Sequence, residues 1–153
     1  MTTTDAFENV ARGVFPPLVL DPLADAVSEP FWEAARRDQL VAQRCTQCGT
    51  LRLPPAPICF ACRSSATEWV DLPGTGVIHA CTVVRHPLHR GLSAVVPYVT
   101  ALVELDGTQG AGARLVVNVV GCDPETVAIG DPIRIVFDHV TDEMPVARAR
   151  PLD

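Results

Sequence analysis

Not one lysine occurs in this 153-residue chain: all twelve basic residues are arginine. Set against eighteen acidic residues, they leave a formal net charge of −6. The arginines stand singly except at Arg36–Arg37 and at Arg148/Arg150. No basic stripe forms, and a broad surface for a polyanion is excluded. Aromatic residues are scarce too, with five phenylalanines, two tryptophans and one tyrosine. Binders of single-stranded nucleic acid stack bases on aromatic rings along a cationic groove, and this composition supplies little of either. No apolar run reaches the roughly 18–20 residues that cross a bilayer. The first residues, MTTTDAFENVARG, lack the basic n-region and apolar h-region of a secretory signal. These absences place the chain, as an expectation, in the cytoplasm and away from membranes. Thiols there stay reduced, so paired cysteines read as metal ligands before they read as disulfides.

Hydrophobic residues make up 48% of the chain, enough for a packed core. Four of the six cysteines fall within residues 44–65, RCTQCGTLRLPPAPICFACRSS. Cys45, Cys48, Cys59 and Cys62 form two C-x-x-C pairs with ten residues between them. Zinc takes four tetrahedral thiolate or imidazole ligands, and a C-x-x-C turn aims two sulfurs at one ion. Gly49 suits the knuckle turn after Cys48, because glycine accepts a positive φ. Leu40–Ala42 and Thr50–Leu53 read as hairpin arms around the first pair, and Pro54, Pro55 and Pro57 end the second arm. The pattern is that of a zinc ribbon over residues 40–66. A redox C-x-x-C would open a helix beside a βαβ unit, a context neither pair has. Iron takes similar ligands and stays open as the alternative metal. With all four positions filled by protein, one Zn2+ per chain serves folding and leaves no open coordination position for catalysis.

Upstream, residues 1–27 read as an extension with Pro16, Pro17 and Pro22 around the apolar patch FPPLVL. Residues 28–39 read as a short helical segment. Ser28 is the expected N-cap, Pro30 lies in the first turn, and Phe31, Ala34 and Ala35 share one face over roughly 29–37. Downstream, residues 67–150 turn to short β-branched runs: TEWVDL (67–72), GVIHACTVV (76–84), YVTALVEL (98–105), ARLVVNVV (113–120) and PIRIVFDHV (132–140). Turn sequences separate them, and a last short strand is expected near Pro145–Ala149. DPETVAIG, ahead of residues 132–140, reads as a single helical turn. This spacing predicts a mostly β chain, with an N-terminal helix, a rubredoxin-like zinc ribbon and a five-stranded OB-fold barrel.

Two groups in the barrel region invite a chemical reading. His79 and Cys81 lie two apart on one expected strand face, as in a thiol activated by imidazole. The competing reading takes Cys81 and Cys122 as small buried hydrophobes and His79 as an outward side chain, since no third, orienting group is visible. The loop RHPLHRG gathers Arg85, His86, His89 and Arg90, either a contact for phosphates or a partner, or simply a solvated loop. Phe31 and Trp32 are further candidates for partner contact.

The order of features resembles a known family. A tryptophan-bearing helix precedes LVAQRCTQCGTLRLPPAPICFAC, which is followed by PGTGVIHACTVV, PYVTALVELD and AIGDPIRIVFD. Over residues 28–140 this is similar to the zinc-ribbon/OB-fold proteins long catalogued as a domain of unknown function. That family is associated with thiolases, thiolase-like acyltransferases and aldolases of acyl-CoA metabolism. The chain departs from its pattern at Arg63, where the second knuckle often carries glycine, and in the tail PVARARPLD, which lacks a frequent aromatic. The resemblance implies Cys45, Cys48, Cys59 and Cys62 as the metal ligands. It also implies a non-catalytic accessory subunit in a hetero-oligomer with a thiolase-like enzyme. Two copies of each follow from the dimeric thiolase fold, with the accessory chain shaping the CoA entrance. Two rival functions are a single-stranded nucleic-acid module, invited by the ribbon-plus-barrel layout, and a stand-alone acyl-CoA-binding protein. The first conflicts with charge and aromatic content. The second has neither a nucleophile–base–orienter set nor a phosphate loop such as G-x-x-x-x-G-K.

Overall fold

The computed structural model describes residues 25–87, 90–108, 113–139 and 145–152. The FPPLVL extension, His89 and the tip of the DGTQGAG turn lie outside them. The described chain holds one helix, α1 (Glu29–Ala35), and eight strands. The strands are β1 (Val41–Cys45), β2 (Leu51–Arg52), β3 (Thr67–Asp71), β4 (Thr75–Val84), β5 (Tyr98–Leu105), β6 (Arg114–Val119), β7 (Pro132–Asp138) and β8 (Val146–Pro151). Strands β2, β1 and β3 form a three-stranded antiparallel sheet, and β4-β5-β6-β8-β7 close into a five-stranded barrel. The single parallel pairing, β6 with β8, together with β7 returning to β4, is the OB-fold order.

The helix ends two residues earlier than its sequence pattern suggests. Its entry is also built differently. Ser28 occupies the N-cap without a side-chain cap bond, and its hydroxyl turns back to the Asp25 carboxylate at 2.7 Å. Asp25 Oδ1 also accepts the Ser28 and Val27 N–H groups at 2.7 and 3.1 Å, which holds its carboxyl below the usual range. The predicted apolar face is real: Phe31, Ala34 and Ala35 are all buried.

The boundary expected at residue 67 falls elsewhere. Thr67–Asp71 does not enter the barrel but pairs along the whole of β1, from Cys45↔Thr67 to Val41↔Asp71. Without it β1 would present an unpaired edge, since β2 covers only Gln43 and Arg44. The barrel therefore begins at Thr75. Gly76 is required there by close approach, because a Cβ would stand 2.3 Å from the Glu104 carbonyl oxygen. The link DPETVAIG forms no helix; Thr126 N–H donates to Asp123 O at 3.0 Å in a plain turn.

Helix, ribbon sheet and barrel share one core. Phe31, Leu40, Val41 and Leu53 pack in the same cluster as Ile78, Val99, Val103 and Ile133. Backbone contacts reinforce the junction: Leu72 N–H donates to Leu40 O at 2.8 Å, and Leu53 bridges Ala113. The ribbon is thus fixed to the barrel and does not hang from a linker.

Candidate metal centre and interaction surfaces

The two knuckles are built alike. Cys45 N–H donates to Thr50 O at 3.0 Å and Cys45 O accepts from Gly49 N–H at 2.8 Å. Cys59 N–H donates to Ser64 O and Cys59 O accepts from Arg63 N–H, both at 2.9 Å. Each turn folds its chain back so that both of its thiols face a common centre. All four Sγ atoms lie within 4.8 Å of one another, with Cys45–Cys62 at 3.5 Å and Cys48–Cys59 at 3.6 Å. Metal–sulfur bonds of about 2.3 Å in a tetrahedron give an edge of about 3.8 Å, so the sulfurs fit one zinc-sized ion. Cys45 and Cys59 are wholly buried, while Cys48 and Cys62 close the outer side.

The electrostatics of the four thiols favour the same reading. The Cys62 N–H, then that of Ala61, holds Cys59 down to about 6. The Thr50 hydroxyl and N–H, with Thr50 Oγ1 at 3.1 Å, lower Cys48. The Ser64 amide pulls Cys62 down as well, yet Cys48, burial and the other two sulfurs outweigh it and push Cys62 up to about 12. The first thiolate forms readily and the last is opposed by its neighbours. A divalent cation removes that opposition, so the donor set fits structural zinc.

Behind the site, Gln43 and Arg52 are buried and hydrogen-bonded to each other across β1 and β2. Gln43 Oε1 also accepts from Ala56 N–H, and Arg52 donates to Ala56 O, each at 3.1 Å. The proline arm is thereby pinned to the ribbon sheet. Nothing in the sequence marked these two polar residues as core. Next to the arm, Ile58 and Phe60 flank the buried Cys59 and are 53% and 62% exposed.

The remaining candidates scatter. Phe31 is 7% exposed and sits in the core, so it offers a partner almost nothing; Trp32 meets it edge-on at 5.3 Å and is half-buried. Arg85 is bound to both oxygens of Glu125 at 2.6 Å, which spends its charge. His86 and Arg90 are exposed, Arg90 in a short 3-10 turn, Arg90–Leu92. His79 and Cys81 do not share a face. The β4–β5 register shifts between Ile78 and Ala80, so His79 is bulged outward, 3.7 Å from Glu104, while Cys81 packs against the core. A bulge inserts one residue and reverses the side on which later residues fall. Cys122 is half-buried, and burial raises its thiol above the ordinary value, as does Asp123.

A cleft of about 380 Å³ opens where the ribbon sheet meets the barrel. Asp38, Leu40, Asp71, Arg134 and Phe137 line it. His139 Nε2 lies 2.8 Å from Asp38 Oδ1 there, and Asp38 itself holds a φ of 57°. No described helix is long and apolar enough to cross a membrane.

Comparison with known proteins follows this layout. Residues 32–68 match the family described as "ChsH2, rubredoxin-like zinc ribbon domain", and residues 69–138 match "ChsH2, C-terminal OB-fold domain". A probable enoyl-CoA hydratase alpha subunit of Thermomonospora curvata is 41% identical over 79% of this chain, which spans 36% of that protein's length. A DUF35 domain-containing scaffold protein of Methanothermobacter thermautotrophicus is 36% identical over 71% of this chain and 78% of its own. Among solved structures, a chain of the Ltp2-ChsH2(DUF35) aldolase superposes with a TM-score of 0.73 at 37% identity. That match covers 85% of this chain and 98% of the other. A DUF35-family protein from Sulfolobus solfataricus, 14% identical with a TM-score of 0.60, shares the fold. With its four-cysteine ribbon joined to a closed five-stranded barrel, the chain belongs to the ChsH2/DUF35 family of zinc-ribbon and OB-fold proteins.

Proposed function

We propose that this chain is a non-catalytic accessory subunit, carrying one structural zinc, that binds and stabilises a thiolase-like enzyme acting on acyl-CoA thioesters in the cytoplasm. The observation that carries this reading is the likeness to the chain from the Ltp2-ChsH2(DUF35) aldolase, 98% of which is covered. The relative called a scaffold protein supports a role in assembly, and the relatives called CoA hydratase alpha subunits support acyl-CoA chemistry nearby. The chain's own residues agree in three ways. Its metal ligands are all protein thiols, which leaves no open position for a substrate. Its one candidate thiol–imidazole pair is split by the bulge at His79. Its rigid, metal-clamped ribbon offers apolar groups to a partner at Ile58, Phe60 and the proline arm, with Trp32 beside the helix. His86 and Arg90, with His89, remain the groups proposed to meet CoA phosphates at the enzyme entrance; Arg85 contributes less because Glu125 already holds it.

Tagged purification from the native cell, with mass spectrometry of what stays bound, identifies the enzyme. Co-expression of the two, followed by size-exclusion chromatography and an acyl-CoA cleavage assay, tests the role. The expected result is a stable complex with two copies of each chain. The enzyme should lose activity or fall out of solution without this subunit, and the subunit alone should turn over nothing. Separate elution together with full activity of the lone enzyme would sink the reading.

A further inference from the structure

The outer face of β4, β7 and β8 carries two neighbouring cross-strand rows of different character. In the first, Val77 lies opposite Pro132, and the Leu152 N–H reaches the Pro132 carbonyl at 2.9 Å. All three are exposed, Val77 by 41% and Leu152 by 38%, and the equally apolar Ile129 stands just upstream at 69%. In the second row, two residues along each strand, Thr75 lies opposite Arg134 and Arg134 opposite Arg150. Ile133 and Ala149, the inward members of β7 and β8 beside them, are fully buried, so both rows face out.

Like charges directly opposite each other on antiparallel strands repel. Yet among the described residues neither Arg134 nor Arg150 has an ion pair or a side-chain hydrogen bond. Arg36, Arg44, Arg85, Arg114 and Arg148 each face a carboxylate, in a chain whose net charge is −6. Among the described residues no carboxylate is bound to either member of the pair. The two residues also have different surroundings: Arg134 lines the cleft with Asp71 and Gly74, and Arg150 lies over Gly121, just after β6. Two guanidinium forks beside an exposed apolar row suit two separate carboxylates on an otherwise apolar surface, since arginine binds carboxylate in a bidentate fork. Arginine is also enriched at interfaces, and charge complementarity fixes orientation.

We propose that this face docks the partner enzyme subunit, which covers Val77, Pro132 and Leu152 with aliphatic side chains and meets Arg134 and Arg150 with carboxylates. This rests on the accessory-subunit reading and adds a barrel surface to the ribbon contacts proposed above.

The test takes the full-length, zinc-loaded chain and the enzyme recovered with it, and measures their affinity at several salt concentrations. The double variant Arg134→Gln/Arg150→Gln and, separately, Leu152→Asp are expected to weaken binding at least tenfold. The double variant should also flatten the salt dependence, which a merely structural role would not alter. Val116→Ser, exposed on β6 and given no role in binding, is the control. All four residues changed are exposed, and an unaltered melting temperature and zinc content checks that each variant is folded. Full affinity of the double variant overturns the proposal while leaving the accessory role standing. So does a homodimer of this chain that the same variants dissolve, since the occupant would then be a second copy. If no thiolase-like enzyme co-purifies, both readings fall together.

Discussion

Gly49 and Arg63 occupy the same place in the two knuckles, one residue after the second cysteine of each pair, and both hold a positive φ, 76° and 65°. Each donates its N–H back to the first cysteine of its pair. Only the first position has the residue that this conformation prefers. An L-residue in the left-handed region is strained by roughly 1–2 kcal/mol, whereas glycine's extra freedom in the unfolded chain costs roughly 0.4–1 kcal/mol.

Those magnitudes set opposite outcomes for two substitutions. Gly49→Ala is expected to destabilise by roughly 0.5–1 kcal/mol, backbone strain less the unfolded-state entropy that alanine removes, because a Cβ there would touch nothing within 4 Å. Arg63→Gly is expected to stabilise by about 0.5 kcal/mol, the difference between relieved strain and added unfolded-state entropy. Thermal melts of the zinc-loaded proteins decide it. A lowered midpoint for Arg63→Gly would mean that the arginine side chain makes a contribution larger than its strain.

Metal removal tests the knuckles as a unit. Purified protein should carry close to one zinc per chain by elemental analysis. Cys48→Ser removes an exposed ligand and Cys59→Ser a buried one, yet both should lose the metal, because three thiolates no longer close the tetrahedron. Since the ribbon shares its core with helix and barrel, loss should lower the melting temperature of the whole chain and promote aggregation, not merely loosen a loop. An unchanged midpoint after strong chelation would count decisively against a structural site.

Two ion pairs make a contrast in which distance misleads. Arg85 and Glu125 approach to 2.6 Å but both side chains are more than half exposed. Arg148 and Asp138 are 3.6 Å apart, with side chains only 4% and 17% exposed, and Arg148 also donates to Asn118 at 2.6 Å across the parallel β6–β8 pair. Burial lowers the Arg148 pKa, and Asp138 opposes that shift. An exposed pair contributes about 0–1 kcal/mol, whereas removing one partner of a buried pair costs about 3–5 kcal/mol. Asp138→Asn should therefore destabilise by several-fold more than Glu125→Gln in urea melts. Equal effects would show that Arg148 is neutralised by something other than Asp138.

What was legible in the sequence was what local chemistry enforces. The cysteine spacing, the glycine of the first knuckle and the β-branched runs each constrain backbone or ligands within a few residues, and each appears where the pattern put it. What was not legible depends on partners far away in the chain. The assignment of β3 to the ribbon needs Thr67–Asp71 to find Val41–Cys45. Phe31 and Phe60 sit in similar apolar contexts, yet one is 7% and the other 62% exposed, because only the first helix face meets the barrel. The bulge at His79 leaves no mark in a strand of ordinary composition, and the Arg134–Arg150 opposition exists only through the β7–β8 register.

The last prediction concerns the rival that the architecture itself invites. A zinc ribbon with an OB barrel is a common reader of single strands, and such readers combine a cationic groove with stacked aromatic rings. In this chain Arg36, Arg44, Arg85, Arg114 and Arg148 are each paired with a carboxylate. Among the described residues Arg37, Arg63, Arg90, Arg134 and Arg150 face no carboxylate, but they are scattered along the chain, and Asp38 and Asp71 line the cleft with Arg134. Among the described aromatics, Phe31 and Tyr98 are buried, Trp32, Trp69 and Phe137 pack against the core, and Phe60 is exposed. A few dispersed phosphate contacts give weak, salt-sensitive binding, and at about 0.15 M salt exposed charges are screened beyond about 8 Å. Fluorescence anisotropy with single-stranded DNA and RNA at that salt should show no submicromolar binding. A submicromolar affinity there would overturn the accessory-subunit reading, because it would require a stacking or cationic surface that the described residues do not form.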